Sequence, residues 1–237
     1  CIRAGFYFTQ YATREGPNLE IAFGAMAFRE ALHGGDFKVA TLVREDGGDK
    51  FVRSQDGPTI TQVIDGFERG IANLYGQSVL DERQRWVGDY SRFFRYLLER
   101  FRLGVVTTNY DLVTETALGD LQQESSYVYR ADHASAETVP VLKLHGSVNW
   151  PKTPDLDLGN IRTDARPLEL ARVLPPTWNK DLNDNRAFAS VWRNAVGLIG
   201  AAEAILVIGQ SFPPTDLHLD YLFGETLLRR DGQPSGK

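Results

Sequence analysis

Apolar residues along this chain fall into two kinds of run, one spaced three or four apart and one continuous. The spaced runs predict helices. The first carries Leu19, Phe23, Met26, Phe28, Ala31 and Leu32, with Asn18 placed to cap its start and Gly34-Gly35 to close it. A second, over about 59–75, carries Ile60, Val63, Ile64, Phe67, Ile71 and Leu74, and a third, over about 89–101, carries Phe93, Phe94, Tyr96, Leu97, Leu98 and Phe101. A short one follows Asp111 (Leu112, Val113, Thr116, Ala117) and gives out near Gly119. Another spans 186–201 with Phe188, Val191, Trp192, Ala195, Leu198 and Ile199, and a last one follows Asp216 with Leu219, Leu222, Phe223, Leu227 and Leu228.

The continuous runs predict buried strands: the β-branched stretch from Leu103 to Thr107, the short Tyr127-Val128-Tyr129, residues 139–145, and the fully apolar 204–208. Pro140 sits at the start of its strand, where a missing N–H matters least. That strand breaks at 146–151. Between these runs, 35–58 is charged and Gly-rich and reads as a surface connection with a short strand or helix at 39–43. Residues 151–185 are rich in Pro, Asp and Asn and read as long loops with little regular structure. Short apolar strands separated by helices define an α/β protein with a mostly parallel sheet. We expect a single domain over 1–237, with a mainly helical part at 18–102 and an α/β part at 103–230. The chain opens on Cys1 in what reads as the middle of a structural unit, so a fragment of something longer is expected.

Composition narrows the partners. Net charge is −5, with acidic and basic residues interspersed and no basic stripe, so no nucleic-acid partner is expected. No segment reaches the roughly 20 apolar residues that span a bilayer, and no signal peptide is recognisable, so a cytoplasmic protein without a membrane partner is expected. One cysteine forbids an internal disulfide and a Cys-rich zinc site.

In an open parallel sheet, ligands bind just beyond the carboxyl ends of the strands. Three predicted strands end in polar clusters. The first is Thr107-Thr108-Asn109-Tyr110-Asp111, an unbroken run of hydrogen-bonding side chains in which Asp111 stands as an N-cap. An ordinary strand-to-helix turn, its Asn and Asp satisfying backbone groups, reads equally well from this segment alone. The second is Leu144-His145-Gly146-Ser147, where a histidine at a strand end suits general-base work and Gly146 lets another group approach its ring. A histidine that merely hydrogen-bonds a neighbouring loop is the alternative. The third is Gly209-Gln210-Ser211, whose glycine lets backbone N–H groups approach a ribose or phosphate and whose serine offers a hydroxyl. Asp216 reads as the cap of the last helix. Trp150 and Trp178 stand among prolines, placed either to wall a base or to staple a loop to the core. Glu45, Asp46 and Asp49 form a Gly-rich acidic loop without ion-binding spacing, which reads as solvated surface.

Together and in this order, the segments resemble the nucleotide-binding domain of the sirtuin family, and most of all its zinc-free bacterial branch, whose members occur as NAD-consuming domains in anti-phage defence proteins. That branch carries T-x-N-Y-D-like, L-H-G-S-[IV]-N-W-like, P-P-T-W-x-K-like and I-G-x-S-[FL]-P-x-x-D-like segments, which stand here at 107–111, 144–150, 175–180 and 208–216. The resemblance is good from about residue 85 to 228 and extends back to the helix at residue 18. It implies a Rossmann-like open, mostly parallel sheet flanked by helices, without the zinc module, with NAD as substrate and no metal. The family's N-terminal strand and G-A-G-x-S loop find no match, since Arg3-Ala4-Gly5 departs from it. The sheet is therefore expected to lack a central strand and to show an apolar gap or an exposed edge.

Carried over by position, the resemblance makes Asn109 orient the ribose and the attacking water, and Asp111 hold the nicotinamide carboxamide. His145 becomes the general base. Gly209 and Ser211 contact the adenosine half, Thr107 lines the pocket, and Gly146 counts among the cofactor-binding positions. Thr108 replaces the deacylases' Gln and reshapes the pocket floor. The resemblance then implies an NAD glycohydrolase that forms nicotinamide and ADP-ribose in anti-phage defence. Its alternatives are a non-catalytic NAD or ADP-ribose binder, a degenerate scaffold, and a protein deacylase or ADP-ribosyltransferase. Expected partners are NAD, further domains of a longer protein, and further copies in a homo-oligomer.

Overall fold

The computed structural model describes residues 34, 36, 41–45, 48–52, 57–81, 86–121, 127–153, 155–161, 168, 171–174, 186–210 and 217–232. The expected helix at 18–32, the segment 175–180 with Trp178, and residues 211–216 with Ser211 and Asp216 lie outside the described residues. Backbone proximity divides the chain into two units, one of Cys1–Gly70 with Leu174–Lys180 and one of Ile71–Val173 with Asp181–Lys237.

In the first unit, β1 (Thr41–Glu45) and β2 (Gly48–Val52) pair antiparallel in a register that sets Glu45 opposite Gly48. Two residues, Asp46-Gly47, connect them, and Asp-Gly between apolar runs is a strong local hairpin signal. The stretch read as a surface connection thus holds a hairpin, and its short strand lies at Thr41–Glu45 rather than 39–43. Helix α1 (Ile60–Asp81), which belongs to this unit as far as Gly70 and to the second unit from Ile71, starts on a reciprocal capping box. The Gln62 N–H donates to Thr59 Oγ1 at 3.1 Å, and the Thr59 N–H donates to Gln62 Oε1 at 2.9 Å. The helix runs to Asp81 rather than ending near residue 75.

The second unit is an α/β layer of the Rossmann-like kind. Strands β3 (Val105–Thr107), β4 (Tyr127–Val128) and β5 (Val139–Lys143) form a parallel sheet in the order β3-β5-β4. The registers are Val105↔Val141, Thr107↔Lys143 and Tyr127↔Val139. All five residues of β5 are buried, as a central parallel strand requires, whereas β3 is half-buried. Helix α2 (Trp86–Leu98) begins three residues before its expected start and packs on α3 (Val113–Gly119), where Ser91 Oγ donates to Ala117 O at 3.1 Å. Helix α4 spans Arg186–Ala201, the bounds its periodicity predicts, and α5 spans Leu217–Gly232 against it. Phe188, Val191, Trp192, Ala195 and Ile199 bury one face of α4, and Trp192 Nε1 donates to Leu144 O at 3.0 Å just past β5.

Two expectations are corrected. Residues 146–151 and part of 151–185 are not loop: β6 (Gly146–Pro151) and β7 (Ala171–Val173) pair antiparallel, with Gly146 opposite Val173. The apolar run 204–208 forms no strand, makes no backbone hydrogen bond among the described residues, and leaves Ile205 to Ile208 between 38% and 66% exposed. Apolarity favours burial, but a strand exists only where a neighbour completes its ladder, and no described strand lies alongside this run.

Candidate functional site

Thr107 is the last residue of β3, and the chain leaves the sheet there. Backbone groups then lace the following turn to the residues after β5. Leu144 N–H donates to Thr107 O at 2.9 Å, and Val148 N–H donates to Tyr110 O at 3.1 Å. Ser147 Oγ reaches the same Tyr110 carbonyl at 3.5 Å. Within the turn, Asn109 N–H donates to Thr107 Oγ1 at 3.1 Å, and Val113 N–H donates to Asp111 Oδ1 at 3.0 Å. Asp111 therefore stands one residue before the N-cap position, which Leu112 occupies without a side-chain cap. Its local backbone role is nonetheless the one an Asx turn predicts.

The Asn109 side chain is exposed and makes no hydrogen bond among the described residues. His145, half-buried, sets its ring 6.2 Å from that of Tyr110, and Tyr110 in turn sits 5.9 Å from Tyr75. The third cluster joins through Thr108, whose Oγ1 donates to Gln210 Oε1 at 3.3 Å across 102 residues of sequence. The polar segment 107–111 thus touches both 144–148 and 209–210.

The two glycines of the site differ in kind. Gly209 is exposed with φ +67, and a Cβ there would meet nothing within 4 Å. Gly146 is buried with φ +86, and a Cβ there would lie 2.3 Å from Arg172 O and 2.9 Å from Phe188 Cζ. The group that a glycine beside His145 admits is the carbonyl of β7.

Beneath the turn lies a polar network that sequence reasoning missed. Lys143, at the end of β5, and Glu115, on α3, form an ion pair at 2.8 Å with side chains 1% and 0% exposed. Lys143 Nζ also donates to Asp111 O and, at 3.5 Å, to Tyr110 O. Tyr129 Oη donates to Glu115 Oε1 at 3.1 Å and accepts from Asn149 Nδ2 at 2.8 Å. Burial, and then the Glu115 carboxylate beside it, push the Tyr129 phenol well above its ordinary range, so it stays a donor. The available signal was a lone lysine in the otherwise apolar 139–144, a charge that a buried strand tolerates only with a partner. Trp150 belongs to this core and not to a pocket wall. It is fully buried, edge-on to Tyr129 at 5.3 Å and tilted on Phe188 at 5.9 Å. Among the described residues, no group of three or more His, Cys, Asp or Glu side chains is arranged to hold a metal ion, and no helix is long and apolar enough to cross a membrane.

A family model described as a SIR2-like domain matches residues 104–233. The chain belongs to the SIR2-like family. The match opens at the glycine before β3 and closes one residue past α5, so it contains all three polar segments. No curated protein matches the chain. SIR2-like proteins use NAD, and the parallel sheet with flanking helices is the Rossmann-like frame of that family.

Proposed function

We propose that this SIR2-like domain hydrolyses NAD to nicotinamide and ADP-ribose, acting as an effector of the zinc-free bacterial kind found in anti-phage defence. The C1′–N bond breaks, nicotinamide leaves with the bonding electron pair, water oxygen bonds to C1′, and the water's proton passes to a base. The transition state is rich in oxocarbenium character, so fixed dipoles contribute more than a strong nucleophile. In this reading Asn109 orients the ribose and water, Asp111 holds the carboxamide, and His145 takes the proton. Thr107 and Thr108 line the pocket floor, and Gly209 with Ser211 meets the adenosine half.

The observation that carries this reading is the lacing of 107–111 to the His145 segment on one side and to Gln210 on the other. It leaves an exposed amide and a half-buried imidazole bordering the same sheet edge inside the matched family span. The test is nicotinamide release from NAD by the complete chain. Asn109→Ala and His145→Ala should each lower kcat by about 100-fold or more. The melting temperature of the Asn109 variant should not move, since that side chain is exposed. Full turnover in both variants refutes the assignment.

A further inference from the structure

We infer that Lys143 is a positioning residue: its ammonium, held by Glu115, fixes the backbone of the turn that presents Asn109 and Asp111. The inference rests on the proposed NAD reading for its consequence in turnover, though not for its structural content. A lysine ammonium has three N–H donors. Here they go to Glu115 Oε1 and to the carbonyls of Tyr110 and Asp111, two consecutive residues of the turn. Both residues lie between the end of β3 and the start of α3, outside either element's hydrogen-bond ladder. Val148 N–H and Ser147 Oγ also reach the Tyr110 carbonyl, whereas Lys143 alone, among the described residues, reaches that of Asp111. The lysine therefore decides which way the peptide after Asp111 points, and through it where the Asp111 carboxylate and the preceding Asn109 sit.

Stability alone is a poor account of this arrangement. Replacing a buried ion pair by apolar side chains of like volume is commonly neutral or favourable for folding, because both charges then avoid desolvation. The pair here is also imperfectly satisfied. Glu115 Oε1 takes both Lys143 and Tyr129, while Glu115 Oε2 and Asn149 Oδ1 are buried with no hydrogen-bond partner. An apolar pair would fill the space at no such cost, yet it would offer the turn's carbonyls nothing. What the charged pair supplies, and an apolar pair lacks, is direction.

The decisive comparison uses the complete chain with both charges replaced, as Lys143→Met with Glu115→Leu, and again as Lys143→Leu with Glu115→Met. Three quantities are measured: melting temperature, hydrogen exchange of the amides at 109–113, and kcat and KM for NAD. The expected result is a melting temperature close to wild type, at least tenfold faster exchange at 109–113 with unchanged exchange in α4, and a kcat lowered at least tenfold. Wild-type exchange at 109–113 in a folded double variant overturns the inference. Failure of both double variants to fold overturns it too, since the pair would then be structural. Should the wild-type chain release no nicotinamide, the NAD reading falls by itself, and the exchange rates still decide whether Lys143 holds the turn.

Discussion

At Gly146 a single hydrogen in place of a side chain decides whether β7 can lie against the histidine turn. Its φ of +86 disfavours any L-residue, and a Cβ would stand 2.3 Å from a backbone carbonyl that has no freedom to swing away. Gly146→Ala should therefore destabilise the protein by about 3 kcal/mol, combining the left-handed penalty with overpacking, as read from urea unfolding. Gly209 tests the same backbone region without the crowding. With open space around it, Gly209→Ala should cost about 1 kcal/mol, the conformational part alone. Equal losses at the two sites would show that the Arg172 carbonyl is not the constraint. Trp150 teaches the opposite lesson about residue type. A tryptophan among prolines can wall a pocket or, more often, staple a loop to the core, and the rings of Tyr129 and Phe188 around it in space, not its sequence neighbours, made it core.

Elements were legible in proportion to how local their signal is. Helix α4 shows its bounds in the sequence because a buried stripe recurs every turn, from Phe188 to Ile199. Helix α1 announces its start through Thr59 and Gln62, and Thr59→Ala should cost about 1 kcal/mol of stability by stranding amides of the first turn. Strands β6 and β7 were hidden because the buried positions of β6 include Ser147 and Asn149, whose polarity is matched by groups far away in the chain. The hairpin β1–β2 was overlooked although Asp46-Gly47 sits between its strands. The run 204–208 erred the other way, since apolar composition names no ladder partner. Because Leu206 is 66% exposed, Leu206→Lys should change unfolding free energy by less than about 0.5 kcal/mol while raising solubility. A larger loss would mean that this side chain is covered in solution.

Across the whole molecule, the buried phenol of Tyr129 ties stability to alkaline pH. Its folded pKa lies above the unfolded value of about 10, so the folded state holds this proton more tightly. The contribution is complete below pH about 10 and is lost as pH rises from there through the folded pKa. Unfolding free energy should thus fall on alkalinisation above about pH 10, and Tyr129→Phe should flatten that slope. The same variant should be less stable near neutrality, because Glu115 loses a donor and Asn149 an acceptor. A slope unchanged by the substitution would place the alkaline sensitivity elsewhere.

The amino-acid order by itself determined the periodic faces, the α/β alternation, and the three polar clusters standing after apolar runs. Each of these is written within a dozen residues, the range over which backbone geometry sets which side chains share a face. Tertiary structure alone decided the strand order β3-β5-β4, the meeting of Thr108 with Gln210 across 102 residues, and the pairing of Lys143 with Glu115 across 28. A face encodes that it must be covered but not by what. The covering group is selected where distant segments can bury apolar surface and satisfy one another's polar atoms at once.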